Sequence, residues 1–292
     1  AASCTAACAR ALKPMPATIH WESLREASHC CLRRYGRFLV AELLRPHRLL
    51  STAVNNGGQQ DGIRYLVNHQ SCEGKDHKER QTVISEMGLE KYHESVCREI
   101  GLEPNTVALM GTAANMNYAS VMERTADDAA VTAIVTAGAQ GNAACAGDPT
   151  TWRETESGWE KIKVSPYAGT INTMLLLNHP LSQGAMAAAA VTMTEAKTAA
   201  LQHLAVRSLY SPDFATGTTT DQYCIASPQT GTFTLKSTST GVQLGELIGR
   251  AVRDATLEAL RWQNGLEISY TRNIFHALGS YGLKEKTFFD DI

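Results

Sequence analysis

"GTINTMLLLNHPLSQGAMAAAAVTMTEAKTAAL", Gly169 to Leu201, begins as a strand and ends as a helix. Alternation in "GTINTMLLLN" puts Thr170 and Asn172 on one face and Ile171, Thr173 and Leu175 on the other. At "HPLSQGAM" the helix opens, with Ser182 as a candidate N-cap. Alanine and leucine favour the helix that follows, and neither glycine nor proline interrupts Val191–Leu201. Toward the N-terminus, "RFLVAELL" and "RLLSTAV" read as two strands around Pro46, joined as a hairpin. Asn55-Asn56-Gly57-Gly58 reads as a turn, "GIRYLVNHQ" as another strand, and 76–100 as helix with a break at Gly88. "NTVALMGTAA" and "AAVTAIVTAG" are strand-like. Toward the C-terminus, "QYCIAS" and "TFTLKS" read as paired strands, followed by helices over Leu244–Arg261 and Ile268–Leu278. Strands and helices each come in groups. That order predicts an α+β fold, a mixed or antiparallel sheet packed with helices, in a single large domain over 37–292. Residues 1–36 read as an N-terminal arm, with Pro14, Pro16 and a polar helical stretch around Trp21–Arg34.

A 292-residue chain with 43% apolar and 19% charged residues has a globular balance. Its net charge of -2 supplies no basic field for nucleic acid. The run "GAMAAAAVTM" is too short to span a bilayer, and Glu195 and Lys197 follow it, so no membrane segment is expected. No signal peptide is visible, and the expected location is cytoplasmic. Eight cysteines, at 4, 8, 30, 31, 72, 97, 145 and 224, show no C-x-x-C spacing. They read as reduced, mostly buried thiols rather than a metal site.

Four polar segments are placed to carry chemistry. "NHQ" ends a strand and offers Asn68 and His69, on opposite faces. "GTINT" offers Thr170 and Asn172, and an asparagine can serve a ligand amide as donor and acceptor together. On the helix, "TEAKT" pairs Thr194 with Lys197 and Glu195 with Thr198 at i,i+3, a pattern that equally fits a solvated face. "ATGTTTD", Ala215–Asp221, packs four hydroxyls, a glycine and a carboxylate into seven positions. A loop of that kind exposes N–H and O–H donors to an oxyanion or a carboxamide. It lacks the spacing of a P-loop, and neither H-E-x-x-H nor G-x-S-x-G occurs.

Taken in order, "LSTAVNNGG", "NHQ", "VTAGAQGNA", "GTINTMLLLNHPLSQGAM", "TEAKTAAL", "ATGTTTD" and "LGELIGRAV" resemble the adenosylcobinamide amidohydrolases, the CbiZ type, over about residues 37 to 255. The central block 169–221 carries most of the likeness. Two departures stand out: Thr219 replaces the glycine usual in the middle of the threonine loop, and Thr238–Gln243 lacks the usual histidine and lysine. The resemblance implies a corrinoid-salvage hydrolase that cleaves the aminopropanol amide of adenosylcobinamide to adenosylcobyric acid. The corrinoid is then the small-molecule partner, as substrate or ligand. No metal, other cofactor, nucleic acid or membrane is implied, and a homo-oligomer is left open.

Amide hydrolysis requires an activated nucleophile, a stabilised oxyanion and a proton for the leaving amine. The expected acid–base groups are Glu195, Asp221 and His69, with Lys197 beside them. Glu195 is expected to face the site. Asn68, Thr170, Asn172, Thr216, Thr218 and Thr220 are expected to bind the oxyanion or the corrin amides, and a threonine hydroxyl nucleophile, Thr218 or Thr220, stays open. Two other classes also stay open: a corrinoid- or tetrapyrrole-binding protein without hydrolysis, and an enzyme acting on another large metal-tetrapyrrole.

Overall fold

The computed structural model describes residues 19–27, 29–73, 77–156, 158–162, 169–279 and 282–290. Among the described residues six strands come first: β1 (Glu22–Glu26), β2 (Cys30–Tyr35), β3 (Phe38–Leu43), β4 (His47–Ser51), β5 (Gly58–Asp61) and β6 (Tyr65–Gln70). Helices α1 (His77–Met87) and α2 (Leu89–Glu99) follow, and Gly88 breaks them at φ 83. The middle of the chain holds β7 (Val107–Thr112), β8 (Ser120–Ala126), β9 (Ala129–Ala137), β10 (Ala143–Ala144), β11 (Trp152–Thr155), β12 (Gly158–Lys161) and β13 (Ile171–Leu177). Then come α3 (Gln183–His203), β14 (Gly217–Thr218), β15 (Gln222–Pro228) and α4 (Gln243–Asn264). Three short helices close the chain: α5 (Ile268–Thr271), α6 (Ile274–Leu278) and α7 (Glu285–Asp290).

Two mixed sheets stack face to face. The first has the order β1-β2-β3-β6-β7, antiparallel except for the β6–β7 pair. The second has the order β5-β4-β15-β13-β9-β8, antiparallel except for the β13–β15 pair. Leu39, Leu66 and Met110 of the first sheet pack on Leu49, Ile134 and Met174 of the second. On its outer face the second sheet buries Val131, Leu175 and Ile225 against α3 and α4. The first sheet covers its own outer face, Val40, Tyr65 and Val67, with α2. The layers therefore run helix, sheet, sheet, helix, and the fold is α+β as expected. Alanines at 185, 189, 196 and 200 bury the inner face of α3 and let its backbone lie close to the sheet. From α4, Leu247, Ile248, Val252 and Leu260 are buried, each contributing about 1.5–3 kcal/mol. No helix among the described residues is long and apolar enough to cross a membrane.

Several expectations fail at chain connections. The polar helix around Trp21–Arg34 is replaced by two strands of the first sheet, β1 at its edge and β2 between β1 and β3. The charges that suggested a helix surface are partners across strands: Arg34 pairs with Glu22 and Arg33 with Glu42. Residues 1–18 lie outside the described residues. The hairpin around Pro46 does not form either. The link from β3 to β4 crosses between the sheets, so β3 pairs with β2 and β6 while β4 pairs with β15 and β5. "TFTLKS" is no strand; only Leu235 makes an isolated bridge, to Leu181. The last expected helix is interrupted at Asn273, whose side chain caps α6 by accepting from the His276 N–H at 2.7 Å. Other features appear where the sequence places them. Asn56 (φ 57) and Gly58 (φ 73) turn the chain before β5, and Ser182 caps α3 by accepting from the Ala185 N–H.

Candidate functional site

Parallel pairing of β13 with β15 sets Asn172 opposite Gln222, which brings Asp221 alongside Ile171. Helix α3 runs over the same end of the sheet and turns Lys197 toward Asp221. The Lys197 ammonium donates to Asp221 Oδ2 at 2.5 Å, with the two side chains 16% and 14% exposed. A pair so withdrawn from water is sustained only if the remaining acceptor capacity is also filled. It is filled here: Oδ2 also accepts from the Thr218 N–H at 3.0 Å, and Oδ1 accepts from the Ile171 N–H at 2.8 Å and from the Thr218 hydroxyl at 2.5 Å. Four donors thus converge on one carboxylate, two on each oxygen. Lys197 spends one of its three N–H donors in this way.

The chain must come very close to achieve this. A Cβ added to Gly217 would lie 2.4 Å from Asp221 Oδ2 and 2.8 Å from Lys197 Nζ. Glycine is therefore required for packing and not for its φ. The rest of the threonine loop braces the arrangement. Thr216 Oγ1 accepts from the Ala146 N–H, and the Thr216 carbonyl accepts from the Thr198 hydroxyl of α3. Thr219 donates to Asn142 Oδ1, while Thr220 donates to the Gly169 carbonyl and accepts from Thr170.

A cavity of about 190 Å³ opens on the ion pair and is lined by Thr52, Thr173, Thr194, Lys197, Asp221 and Gln222, among others. Its volume is below the roughly 300 Å³ at which pockets for whole small molecules begin. It fits an arm of a larger ligand and not a macrocycle.

Of the residues expected from the sequence, the structure gathers Lys197, Asp221 and Thr218 at one point, with Thr170, Thr216 and Thr220 as supports. It keeps four others apart. Glu195 is exposed on α3, outside the cavity lining, and makes no hydrogen bond or ion pair with a described residue, so it does not face the site. His69 is on the α2 side of the first sheet, stacked on Phe38 with ring centroids 4.5 Å apart and hydrogen-bonded through Nδ1 to Tyr92 at 2.8 Å. Burial, reinforced by Arg80 and Arg37, lowers its pKa to about 4. Asn68 and Asn172 are buried between the sheets. There Asn172 Nδ2 donates to Asn68 Oδ1 and the Gly111 carbonyl, and Asn68 Nδ2 donates to Thr136. They join the layers, and Asn172 Oδ1 accepts no hydrogen bond from a described residue.

The cavity also uses residues to which the sequence reading gave no role in the site. Thr194 is one turn before Lys197 and has the same helix face as its only signal. Gln222 follows Asp221 and accepts from the Gly111 N–H through Oε1. Thr52 had no local signal. It arrives through the β4–β15 pairing, and its N–H and hydroxyl bond the backbone of Tyr223. Among the described residues no group of three His, Cys, Asp or Glu side chains is arranged to hold a metal ion.

Comparison with known proteins bears on this geometry. The uncharacterized protein MJ1613 of Methanocaldococcus jannaschii is 36% identical over 191 residues, 61% of this chain and 71% of that protein. A crystal structure of the PH0078 protein from Pyrococcus horikoshii OT3 aligns over 82% of each chain at 13% identity, with a TM-score of 0.36, too low to support an argument. The profile of the CbiZ family, adenosylcobinamide amidohydrolase, matches residues 24–268, from within β1 through α4, and includes every residue of the cavity. The chain belongs to the adenosylcobinamide amidohydrolase family, a family of hydrolases.

Proposed function

We propose that this protein hydrolyses the amide joining the aminopropanol arm to the corrin ring of adenosylcobinamide, giving adenosylcobyric acid and the amino alcohol. Family membership supplies the substrate class. The observation that carries the assignment to a site is the Asp221–Lys197 pair at the wall of a cavity sized for a side arm, with Thr218 bonded to Asp221 just behind that wall. The amide enters this cavity, and the macrocycle stays at its mouth.

The remaining N–H donors of Lys197 suit an amide oxygen that becomes an oxyanion, and they act in a partly dry site where such donors are worth most. Thr52, Thr173, Thr194 and Gln222 offer hydrogen bonds for the amide N–H and the hydroxyl of the departing amino alcohol. Asp221 holds Lys197 and Thr218 in register and is the acceptor through which a hydroxyl proton can leave. Glu195 and His69 take no part in this arrangement.

The test is incubation of the protein with adenosylcobinamide, followed by chromatography. The expected result is time-dependent adenosylcobyric acid with an equimolar amount of aminopropanol. Binding without cleavage by a folded protein would replace this reading with that of a corrinoid-binding protein.

A further inference from the structure

We propose that Thr218 is the nucleophile and that the reaction passes through an ester of its hydroxyl with the corrinoid acyl group. The inference rests on the amidohydrolase reading and adds a covalent step to it.

The hydrogen bonds of the loop separate its hydroxyls. Thr216 Oγ1 meets a backbone N–H, Thr219 donates to an amide oxygen, and Thr220 donates to a backbone carbonyl. None of those partners can take up a proton at neutral pH. Thr218 alone among them donates to a carboxylate, Asp221 Oδ1, at 2.5 Å, and among the described residues its oxygen is otherwise approached only by the Thr220 N–H at 3.4 Å. A hydroxyl paired with a carboxylate in this way has its acceptor already in place.

The same network disfavours direct attack by water. Asp221 receives four donors, so a water proton could reach it only by displacing one of them. The Ile171 and Thr218 N–H groups are backbone amides that do not give up their protons. The Thr218 hydroxyl proton is already on the line to Oδ1, and its transfer requires no rearrangement. Lys197 is held 2.5 Å from the other carboxylate oxygen, where its charge favours the oxyanion formed beside it.

The steps balance. Thr218 Oγ attacks the amide carbonyl while its proton passes to Asp221 Oδ1, and Lys197 N–H bonds stabilise the tetrahedral oxyanion. The C–N bond breaks, the proton on Asp221 goes to the departing amine, and aminopropanol leaves. A water then fills the vacated place and attacks the ester carbonyl, giving a proton to Asp221. The C–O bond to Thr218 breaks, the proton returns to Oγ, and the acid is released. Water is the only co-reactant consumed.

The experiment uses wild type and the Thr218→Ala, Thr218→Val and Thr218→Ser variants, each checked for folding by circular dichroism. Turnover of adenosylcobinamide is measured with and without hydroxylamine, and acid-quenched protein is weighed by mass spectrometry. We expect Thr218→Ala and Thr218→Val to lose about 10³-fold or more in kcat, and Thr218→Ser to stay within about tenfold of wild type. Wild type and Thr218→Ser should carry an adduct of adenosylcobyric acid minus water on the peptide containing residue 218, and hydroxylamine should divert product to the hydroxamate. A purely structural role for Thr218 would produce neither adduct nor hydroxamate. Wild-type cleavage that persists in Thr218→Ala or Thr218→Val, or that proceeds without adduct and hydroxamate, overturns the nucleophile while leaving the hydrolase intact. Wild-type protein that cleaves no adenosylcobinamide overturns the amidohydrolase reading and the nucleophile with it.

Discussion

Gly217→Ala separates the demands of the fold from those of the site. Gly217 is buried and its backbone is not in the left-handed region, so alanine meets no φ penalty there. Ordinary contact for a Cβ begins at 3.4 Å, and the new methyl would lie 2.4 Å from Asp221 Oδ2 and 2.8 Å from Lys197 Nζ. The carboxylate oxygen must therefore retreat by about 1 Å and the ammonium by about 0.6 Å. Both atoms are ends of flexible side chains, so the loop absorbs the methyl without unfolding. Loosening a largely buried pair costs about 1–3 kcal/mol, and fewer unfolded conformations return about 0.4–1 kcal/mol. The net loss lowers Tm by a few degrees at about 2–4 °C per kcal/mol. Catalysis suffers more, because a displacement of about 1 Å in positioned groups can cost about 10²-fold. Steady-state kcat/KM for adenosylcobinamide, measured by chromatography beside a thermal melt, should show a fall of about 10²-fold with Tm lowered by only a few degrees. Activity within about threefold of wild type would refute the claim that this contact sets the site. A variant that fails to fold would refute the claim that side-chain ends absorb the clash.

Asp221→Asn should fold and lose about 10²–10⁴-fold in turnover, because the amide cannot take the Thr218 proton, whereas Glu195→Gln should remain within about twofold in turnover and a few tenths of a kcal/mol in stability. Equal losses in the two variants, by the same chromatographic assay, would contradict the placement of Glu195 outside the cavity. Burial lowers both His69 and His47 to about 4, against about 6.5 for an unfolded chain. The unfolded state then binds more protons than the native state below about pH 6.5, so stability present at neutral pH falls as pH drops toward 4. By pH 5 the loss is about 2 kcal/mol for each histidine. Urea unfolding at pH 7.5 and pH 5 should reveal it, and His69→Gln should reduce the difference by about 2 kcal/mol. A stability unchanged over that range would show that neither imidazole is buried neutral.

The fold was legible wherever a pattern is local. Alternation in "GTINTMLLLN" gave β13 and both of its faces correctly, and Ser182 and Gly88 marked helix limits because capping and positive φ belong to single residues. What stayed hidden is which strands meet. "RFLVAELL" and "RLLSTAV" look like neighbours in sequence, yet a three-residue link with Pro46 sends them to different sheets, a choice made by the two cores. The arm misread as helical shows the same limit: Glu22, Arg33 and Arg34 find partners across strands, and charge density alone cannot distinguish such a ladder from a wet helix face.

In the site, Asp221 and Lys197 were legible as residue types, but the rotation of α3 was not. Lys197 and Thr194 point into the cavity because Ala196 and Ala200 point into the core, which leaves Glu195 facing outward. His69 lies away from Asp221 because β6 presents it to α2, while its neighbour Asn68 faces the second sheet. Thr52 could not be found locally, since only the register of β4 against β15 places it.

The account stands most directly on where the reacting carbonyl sits. A structure of the wild-type protein with adenosylcobyric acid, the product, measures this. The prediction is that the newly formed carboxylate lies in the cavity within hydrogen-bond distance of Lys197 Nζ and close to Thr218 Oγ1, with the macrocycle outside. A corrinoid whose carboxylate lies elsewhere, beside His69 and α2 or against exposed Glu195, would contradict it.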